Sequence, residues 1–244
     1  MSGAGALEQV RGWVRAARHI AVLTGAGVSA ESGVPTFRDA QTGLWARFRP
    51  EDLAVEAAFR ADPAMVWDWY AMRRALVAPV EPNAAHRALA QFQQRHPGRL
   101  TLITQNVDGL HQRSGSTGVL ALHGSLFEDR WLDAPQPCCD PDLAEAGSPP
   151  RCARCGNLRR PAVVWFGEAL PLRALEAAQE AARACELMLV VGTSGLVYPA
   201  AGLARATPGK VVILNPEATA LDGAAHAVLR GKAAEILPRL LQDG

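Results

Sequence analysis

The chain has 244 residues, of which 49% are hydrophobic and 20% charged, and its formal net charge is +1. This length and composition are typical of a folded α/β protein and exclude disordered or collagen-like chains. Because a nearly neutral chain offers no basic surface, we expect no nucleic-acid partner. The first residues lack the apolar segment of a secretory signal, and no stretch resembles a membrane span, so we expect a cytoplasmic protein without a membrane partner.

Four short, largely apolar runs each end in a polar loop, at residues 20–23, 100–103, 187–191 and 211–214. Strands that are apolar throughout are typical of a parallel sheet covered by helices on both faces. Such sheets bind ligands beyond the carboxyl ends of their strands. The pattern therefore predicts an α/β fold with a Rossmann-like parallel sheet, and the polar loops are expected at its binding edge.

Two segments interrupt this pattern. One reads as helices rich in Trp and Phe, and the other is irregular and rich in Pro and Cys. We predict that they form a smaller inserted helical and Cys-containing lobe within a single domain, 1–244. The predicted small lobe covers about 40–83 and 126–160, and the large Rossmann-like lobe covers about 1–39, 84–125 and 161–244.

A glycine turn follows the first predicted strand. Gly25, Ala26 and Gly27 begin a stretch that fits G-x-G-x-x-G/A, in which backbone amides approach a pyrophosphate at a helix N-terminus. A glycine-rich turn without a ligand fits these six residues equally well. A dinucleotide dehydrogenase would also need an acidic residue after a second strand ~20 residues further on. The chain continues instead as GVPTFRD, so hydride transfer is disfavoured.

Read as one block, GAGVSAESGVPTFRD resembles the signature of the sirtuins, the NAD-dependent protein deacylases. The resemblance continues in chain order through TQNVDGLHQRSG, LHG, VVWFGE, GTS and NPE, at 104–115, 122–124, 163–168, 192–194 and 215–217. It implies that NAD is consumed as a co-substrate while acyl groups are removed from lysines of protein substrates. The implied products are nicotinamide, O-acyl-ADP-ribose and free lysine, and we expect a monomer.

The resemblance assigns catalytic roles to three residues. His123 is the implied general base, since a neutral imidazole can take a proton from a ribose hydroxyl near physiological pH. Asn106 and Asp108 are implied to bind the nicotinamide carboxamide, and Phe37 to cover the reactive ribose. A structural hydrogen-bonding role for His123 and an Asx-rich turn at 106–108 are the alternatives.

Further residues are implied to bind NAD. Gly192, Thr193 and Ser194 offer amides and hydroxyls to phosphate or ribose, while Asn215 and Glu217 suit the adenosine ribose. A simple turn after a buried strand is the alternative for NPE. The rest of the expected cofactor set is Gly25, Ala26, Gly27, Ser29, Glu31, Arg38, Gln105, Val107, Pro216 and, next to adenine, Ala233.

Tyr70 and Arg73 are three residues apart, so on a helix they share a face, and a phenol with a guanidinium suits a carboxylate. The pair resembles the Tyr-x-x-Arg of class III sirtuins, which prefer succinyl, malonyl or glutaryl lysine. Ala54 resembles the small residue that widens their acyl pocket. An exposed helix face is the alternative. We expect removal of both acetyl and succinyl or malonyl groups.

The segment 164–166 is implied to pair with the substrate backbone as a strand would, which makes Val164, Trp165 and Phe166 candidate peptide contacts. In the family, the peptide enters between the two lobes.

Sirtuins commonly carry a structural zinc held by two pairs of cysteines. Cys152 and Cys155 resemble the second pair, but the first pair is out of pattern. The remaining candidates, Cys138 and Cys139, are adjacent and can both reach one ion only with local strain. A lobe held by packing without zinc is the alternative.

Two other functions share these motifs. One is a binding module that senses NAD or ADP-ribose without turnover, and the presence of His123, Asn106 and Asp108 together argues against it. The other is an NAD glycohydrolase or ADP-ribosyl transferase, which product analysis would distinguish.

Overall fold

The computed structural model describes residues 3–34 and 49–242. Its strands are β1 (Ile20–Thr24), β2 (Leu100–Thr104), β3 (Leu120–Ala121), β4 (Gly124–Trp131), β5 (Ala144–Glu145), β6 (Arg151–Cys152), β7 (Arg159–Val163), β8 (Leu187–Val191), β9 (Lys210–Leu214) and β10 (Ala227–Leu229). Its helices are α1 (Gly3–Ala16), α2 (Ala26–Ala30), α3 (Pro50–Leu53), α4 (Glu56–Ala61), α5 (Pro63–Val77), α6 (Ala84–Arg95), α7 (Leu110–Arg113), α8 (Leu172–Ala184), α9 (Ala200–Ala206) and α10 (Ala233–Leu240). No helix in these ranges is both long and apolar enough to cross a membrane.

Six strands form one sheet in the order β10-β9-β8-β1-β2-β3, and all neighbours run parallel. The predicted α/β fold class is confirmed, and the four predicted strands are β1, β2, β8 and β9. Strands β3 and β10 were not predicted, because strands of two or three residues leave no readable periodicity. Strand order reverses at β1, which lies between β2 and β8, so a crevice is expected beyond its carboxyl end.

The side chains of β1 alternate between two hydrophobic cores. Ile20 and Val22 belong to the core that includes residues of α1, α6 and α10. Ala21 and Leu23 belong to the second core, with residues of α8 and α9. Because both faces of the sheet are buried in this way, its polar loops are confined to the strand ends.

The chain divides into two compact units. The larger comprises Met1–Thr36, Val80–His123 and Leu170–Gly244, and the smaller comprises Phe37–Pro79 and Gly124–Ala169. The smaller unit extends to Ala169, whereas the sequence analysis ended the small lobe near 160. The reason is that β7 pairs antiparallel with β4 and belongs with it.

The smaller unit combines helices α3 to α5 with the two-stranded sheets β4-β7 and β5-β6. The interpretation of 126–160 as irregular was therefore wrong in part, since the segment contains most of β4 and all of β5 and β6. The last two have two residues each, which is too few to leave a readable pattern. Helix α5 begins where the Asp62 side chain accepts a hydrogen bond from Met65 N at 3.0 Å, with Pro63 in the first turn. Phe59, Trp69 and Trp165 are fully buried in this unit.

Candidate active site

In the larger unit, the glycine turn after β1 interlocks with the loop after β8. Gly25 N donates to Val191 O at 3.0 Å, and Gly27 N donates to Gly192 O at 2.8 Å. A Cβ on Gly27 would lie 2.8 Å from Gly192 Cα, and Gly192 itself has a φ of 62°. Only glycine fits such an approach. The amides of Gly25 and Gly27 thus join the two loops, and the approach of backbone amides of this turn to a pyrophosphate stays a prediction.

Asn106, Asp108 and Ser29 form a hydrogen-bonded group beyond β1 and β2. Asn106 Nδ2 donates to Gly25 O at 3.1 Å and to Ser29 Oγ at 3.0 Å. The Asp108 carboxylate accepts a hydrogen bond from Leu110 N at 2.9 Å, and the Ser29 hydroxyl lies near enough to lower its pKa. Burial raises the pKa of Asp108, and these interactions oppose the rise. The amide of Asn106 is therefore fixed, and its Oδ1 is the atom left to accept from a ligand.

His86, which was not among the predicted site residues, contributes to this group. Its Nδ1 accepts from Asn83 N at 3.2 Å, so Nε2 carries the proton and donates to Ser29 Oγ at 3.4 Å. Burial lowers the pKa of His86 to about 4, which keeps the ring neutral. The sequence did carry a signal, since Asn83 and His86 have the spacing of a capping box.

His123 follows β3 at the same edge of the sheet. Its Nδ1 lies 3.0 Å from Gln105 O, and because a carbonyl can only accept, Nδ1 carries the proton. Nε2 of the neutral ring is therefore a proton acceptor. Burial lowers the pKa of His123, while the hydrogen bond to Gln105 opposes this shift. Gln105 is held in turn by its Nε2, which donates to Thr193 Oγ1 at 3.1 Å.

The loops after β8 and β9 are also connected. Asn215 Nδ2 donates to Thr193 O at 3.0 Å, and Glu217 N donates to Asn215 Oδ1 at 3.1 Å. Arg230, which the sequence analysis did not single out, donates from Nη1 to Glu217 O at 2.7 Å. This arginine follows β10, a strand too short to be predicted, so nothing in the sequence placed it at this edge.

Glu31 lies at the start of helix α10, beside Ala233. Its Oε1 accepts from Ala234 N at 3.1 Å, while Lys232, the N-cap residue directly before the helix, makes no side-chain cap. The carboxylate of Glu31 thus caps α10 from α2.

The remaining predicted cofactor residues in the larger unit belong to these same loops: Ala26, Val107, Ser194 and Pro216. Phe37 and Arg38 lie outside the described residues.

In the smaller unit, Tyr70 and Arg73 lie on α5. Tyr70 is 4% exposed, so the alternative of an exposed helix face does not apply to it. The Arg73 guanidinium lies 5.1 Å from the centroid of the Trp69 ring. Burial lowers the pKa of Arg73, and the nearby Tyr70 opposes this shift. The two side chains are therefore close enough to act on one another.

The segment after β7 lies against Ala54. Phe166 N donates to Ala54 O at 2.9 Å, and Trp165 N donates to Glu168 Oε2 at 2.8 Å. The Phe166 ring is half-exposed, whereas the Trp165 indole is buried. The amides of Trp165 and Phe166 already donate within the protein. Strand-like pairing with a peptide would therefore use the backbone of Val164 and the carbonyl groups of this segment.

The chain is similar to known proteins over almost its whole length. The Sir2 family model matches residues 25–199. A protein of Ralstonia nicotianae named NAD-dependent protein deacylase is 57% identical, over 99% of this chain and 98% of its own length. A protein of the same name from Methylococcus capsulatus is 54% identical, over 94% and 93%. The chain belongs to the Sir2 family.

Solved structures of Sir2 proteins share this fold. One, a complex of a Sir2 homologue with NAD, has a TM-score of 0.85 and 43% identity, covering 96% of this chain and 92% of its own. Another, a Sir2 complex with a p53 peptide and NAD⁺, has a TM-score of 0.82 and 31% identity, covering 96% and 97%. The resemblance to sirtuins inferred from the sequence is confirmed.

This Sir2 member brings four cysteines together in its smaller unit: Cys138, Cys139, Cys152 and Cys155. Their Sγ atoms all lie within 4.8 Å of one another, and those of Cys139 and Cys155 are 3.5 Å apart. Zinc held tetrahedrally at about 2.3 Å requires sulfurs about 3.8 Å apart. Backbone N–H groups of Cys155 and Arg154 also lower the pKa of Cys152 to about 7, favouring a thiolate. The thiols thus fit a zinc ion, with the adjacent pair completing the set.

Proposed function

We propose that this Sir2 member is an NAD-dependent protein-lysine deacylase that releases nicotinamide, O-acyl-ADP-ribose and free lysine. The observation that carries the proposal is the state of His123, whose Nδ1 donates to Gln105 O at 3.0 Å and whose Nε2 is left as a base. A binding module has no need of such a base. The names of the two curated relatives, both NAD-dependent protein deacylase, support the same activity.

Asn106 and Asp108 are proposed to hold the nicotinamide end of NAD. Because Asn106 Nδ2 is taken by Gly25 O and Ser29 Oγ, its Oδ1 is oriented to accept from the carboxamide. Leu110 N fixes the carboxylate of Asp108 nearby by a hydrogen bond of 2.9 Å. A leaving group held in one orientation lowers the entropic part of the barrier.

When bound, NAD supplies the ribose that loses nicotinamide and accepts the acyl group. His123 Nε2 is proposed to take the proton from a ribose hydroxyl at that stage. Since burial lowers the pKa of His123, the ring is neutral at physiological pH and ready to accept this proton.

Carboxyl-bearing acyl groups are proposed as substrates together with acetyl. Tyr70 and Arg73 lie close together on α5, and Ala54, which presents a small side chain, is joined to Phe166 through its carbonyl. A guanidinium and a phenol together provide the donors that a succinyl or malonyl carboxylate requires. Peptide binding along 164–166 is proposed as well, with Val164 as the backbone contact.

The test mixes the protein with NAD and matched acetylated and succinylated peptides, and measures nicotinamide and deacylated peptide. We expect equal amounts of the two products, and their loss in His123→Ala. His19→Gln is the matched control, since His19 directly precedes β1 at the opposite edge of the sheet. Nicotinamide released without acyl peptide would instead identify a glycohydrolase, transfer of ADP-ribose a transferase, and bound but intact NAD a binding module.

The cysteine cluster is proposed to hold one structural zinc ion. Elemental analysis of purified protein should give about one zinc per chain, and Cys152→Ser should lose it together with thermal stability. Cys185→Ser is the control, because Cys185 is buried outside the cluster and should leave the zinc content unchanged. A zinc content near zero in the unaltered protein would contradict the proposal.

A further inference from the structure

Arg160 carries a fully buried charge in the smaller unit. Its side chain is 1% exposed and pairs with the Glu168 carboxylate through Nη1, while Nη2 donates to Val163 O at 2.8 Å and to Glu168 Oε2 at 3.2 Å. The guanidinium carbon lies 3.2 Å from the centroid of the Trp165 ring. Removing one partner of a buried pair leaves an uncompensated charge, so this arrangement holds its members firmly.

Glu168 also holds the backbone of Trp165, three residues earlier in the chain. The carboxylate that pairs with Arg160 also accepts from Trp165 N at 2.8 Å. The indole is thus fixed at its backbone by Glu168 and on one face by Arg160, and the Phe59 ring lies 5.2 Å from it between centroids. Neither the proposed chemistry of NAD nor the zinc site requires an arginine buried here.

The fixed indole donates to Tyr70. Trp165 Nε1 lies 2.9 Å from the Tyr70 hydroxyl oxygen, and both groups are buried. An indole N–H can only donate, so the tyrosine oxygen must accept. The tyrosine's own proton is then available to a further acceptor, and no acceptor for it occurs among the described residues. Burial raises the pKa of Tyr70, which keeps this proton in place.

We infer that Trp165, held by Arg160 and Glu168, is a specificity-determining residue that orients the Tyr70 hydroxyl as a hydrogen-bond donor toward a carboxylate on the acyl chain. The inference rests on the proposed deacylase function and its acyl preference. A succinyl or malonyl carboxylate is purely an acceptor and gains from an oriented donor, whereas the methyl group of acetyl has nothing to accept. Trp165 thus acts through Tyr70 and not by touching the acyl group.

The test is Trp165→Phe, which removes the N–H and keeps an aromatic ring beside Arg160 and Phe59. We expect the ratio of kcat/KM for the succinylated peptide to kcat/KM for the acetylated peptide to fall ~5-fold, the effect of one hydrogen bond, with the difference between the peptides expressed in KM. In the Tyr70→Phe background, the same substitution should leave the ratio of the two peptides unchanged. Equal losses on both peptides, or the same change of ratio without the Tyr70 hydroxyl, would overturn the inference.

Arg160→Lys is the second variant. Lysine retains the charge near Glu168 but loses the planar fork and the stacking on Trp165, so the succinyl-to-acetyl ratio should fall in the same direction. The control is Arg130→Gln, since Arg130 is half-exposed and pairs with Glu168 at 2.9 Å without stacking on the indole. Its ratio should equal that of the unaltered protein, and circular dichroism checks that each variant is folded.

The possible results separate this inference from the proposed deacylase function on which it rests. An unaltered protein that deacylates neither peptide refutes the proposed function, and one that is active on acetyl alone refutes the acyl preference and the inference together. An unaltered protein active on both peptides, with a ratio that Trp165→Phe does not change, refutes the inference alone.

Discussion

The two units build their candidate sites in different ways. In the larger unit, parallel strands deliver loops to one edge of a sheet, and backbone contacts such as Gly27 N to Gly192 O join them. In the smaller unit, long side chains form the site. Trp165, for example, donates a hydrogen bond to Tyr70, which lies 95 positions earlier in the sequence. The loops of the larger unit are proposed to bind NAD, which every acyl substrate requires, whereas Tyr70 and Arg73 in the smaller unit are proposed to bind the acyl chain, which differs between substrates. Substitutions in the larger unit should therefore affect both peptides equally.

The largest expected effect is that of His123→Ala. Loss of a positioned general base typically costs about 10²- to 10⁴-fold in kcat. We expect such a loss on both the acetylated and the succinylated peptide in steady-state assays, because His123 is proposed to act on the ribose and not on the acyl chain. A loss of activity on one peptide alone would contradict the proposed difference between the two units.

Arg73→Met should have the second-largest effect, and only on the succinylated peptide. A hydrogen bond to a charged group contributes about 1.5–3 kcal/mol, so kcat/KM for the succinylated peptide should fall about 10- to 100-fold. The acetylated peptide should change little, and Arg73→Lys should give an intermediate loss because a charge remains. Equal losses on the two peptides would remove the proposed carboxylate role.

Gly192→Ala should weaken NAD binding. Its φ of 62° and the 2.5 Å separation of a new Cβ from Val28 N require the two interlocked loops to move apart. A left-handed conformation alone costs about 1–2 kcal/mol, which should appear as a lower free energy of unfolding, and calorimetry should show weaker NAD binding because the loop that carries Thr193 and Ser194 is displaced. Gly12→Ala is the matched control, since a Cβ at Gly12 meets nothing within 4 Å. Unchanged affinity in Gly192→Ala would mean that the interlock does not shape the NAD site.

The smallest expected effect is a shift in the pH profile. Because burial lowers the pKa of His123 from 6.5, the ring stays neutral as pH falls through 6.5 and becomes protonated only below it. The acid limb of kcat/KM should therefore have a midpoint below 6.5 for both peptides. A midpoint above 6.5, or one that differs between the peptides, would assign the limb to another group.

The sequence by itself determined the fold class, four of the six strands of the large sheet, the polar loops that follow those four strands, and the Sir2 family. It could do so because apolar runs and glycine turns report local conformation directly. Tertiary structure alone decided the protonated nitrogen of His123, through Gln105 O, and the donor state of the Tyr70 hydroxyl. It also brought the four cysteines within one cluster, although two of them are adjacent in the chain. These features depend on distances between residues far apart in sequence, which no local pattern encodes.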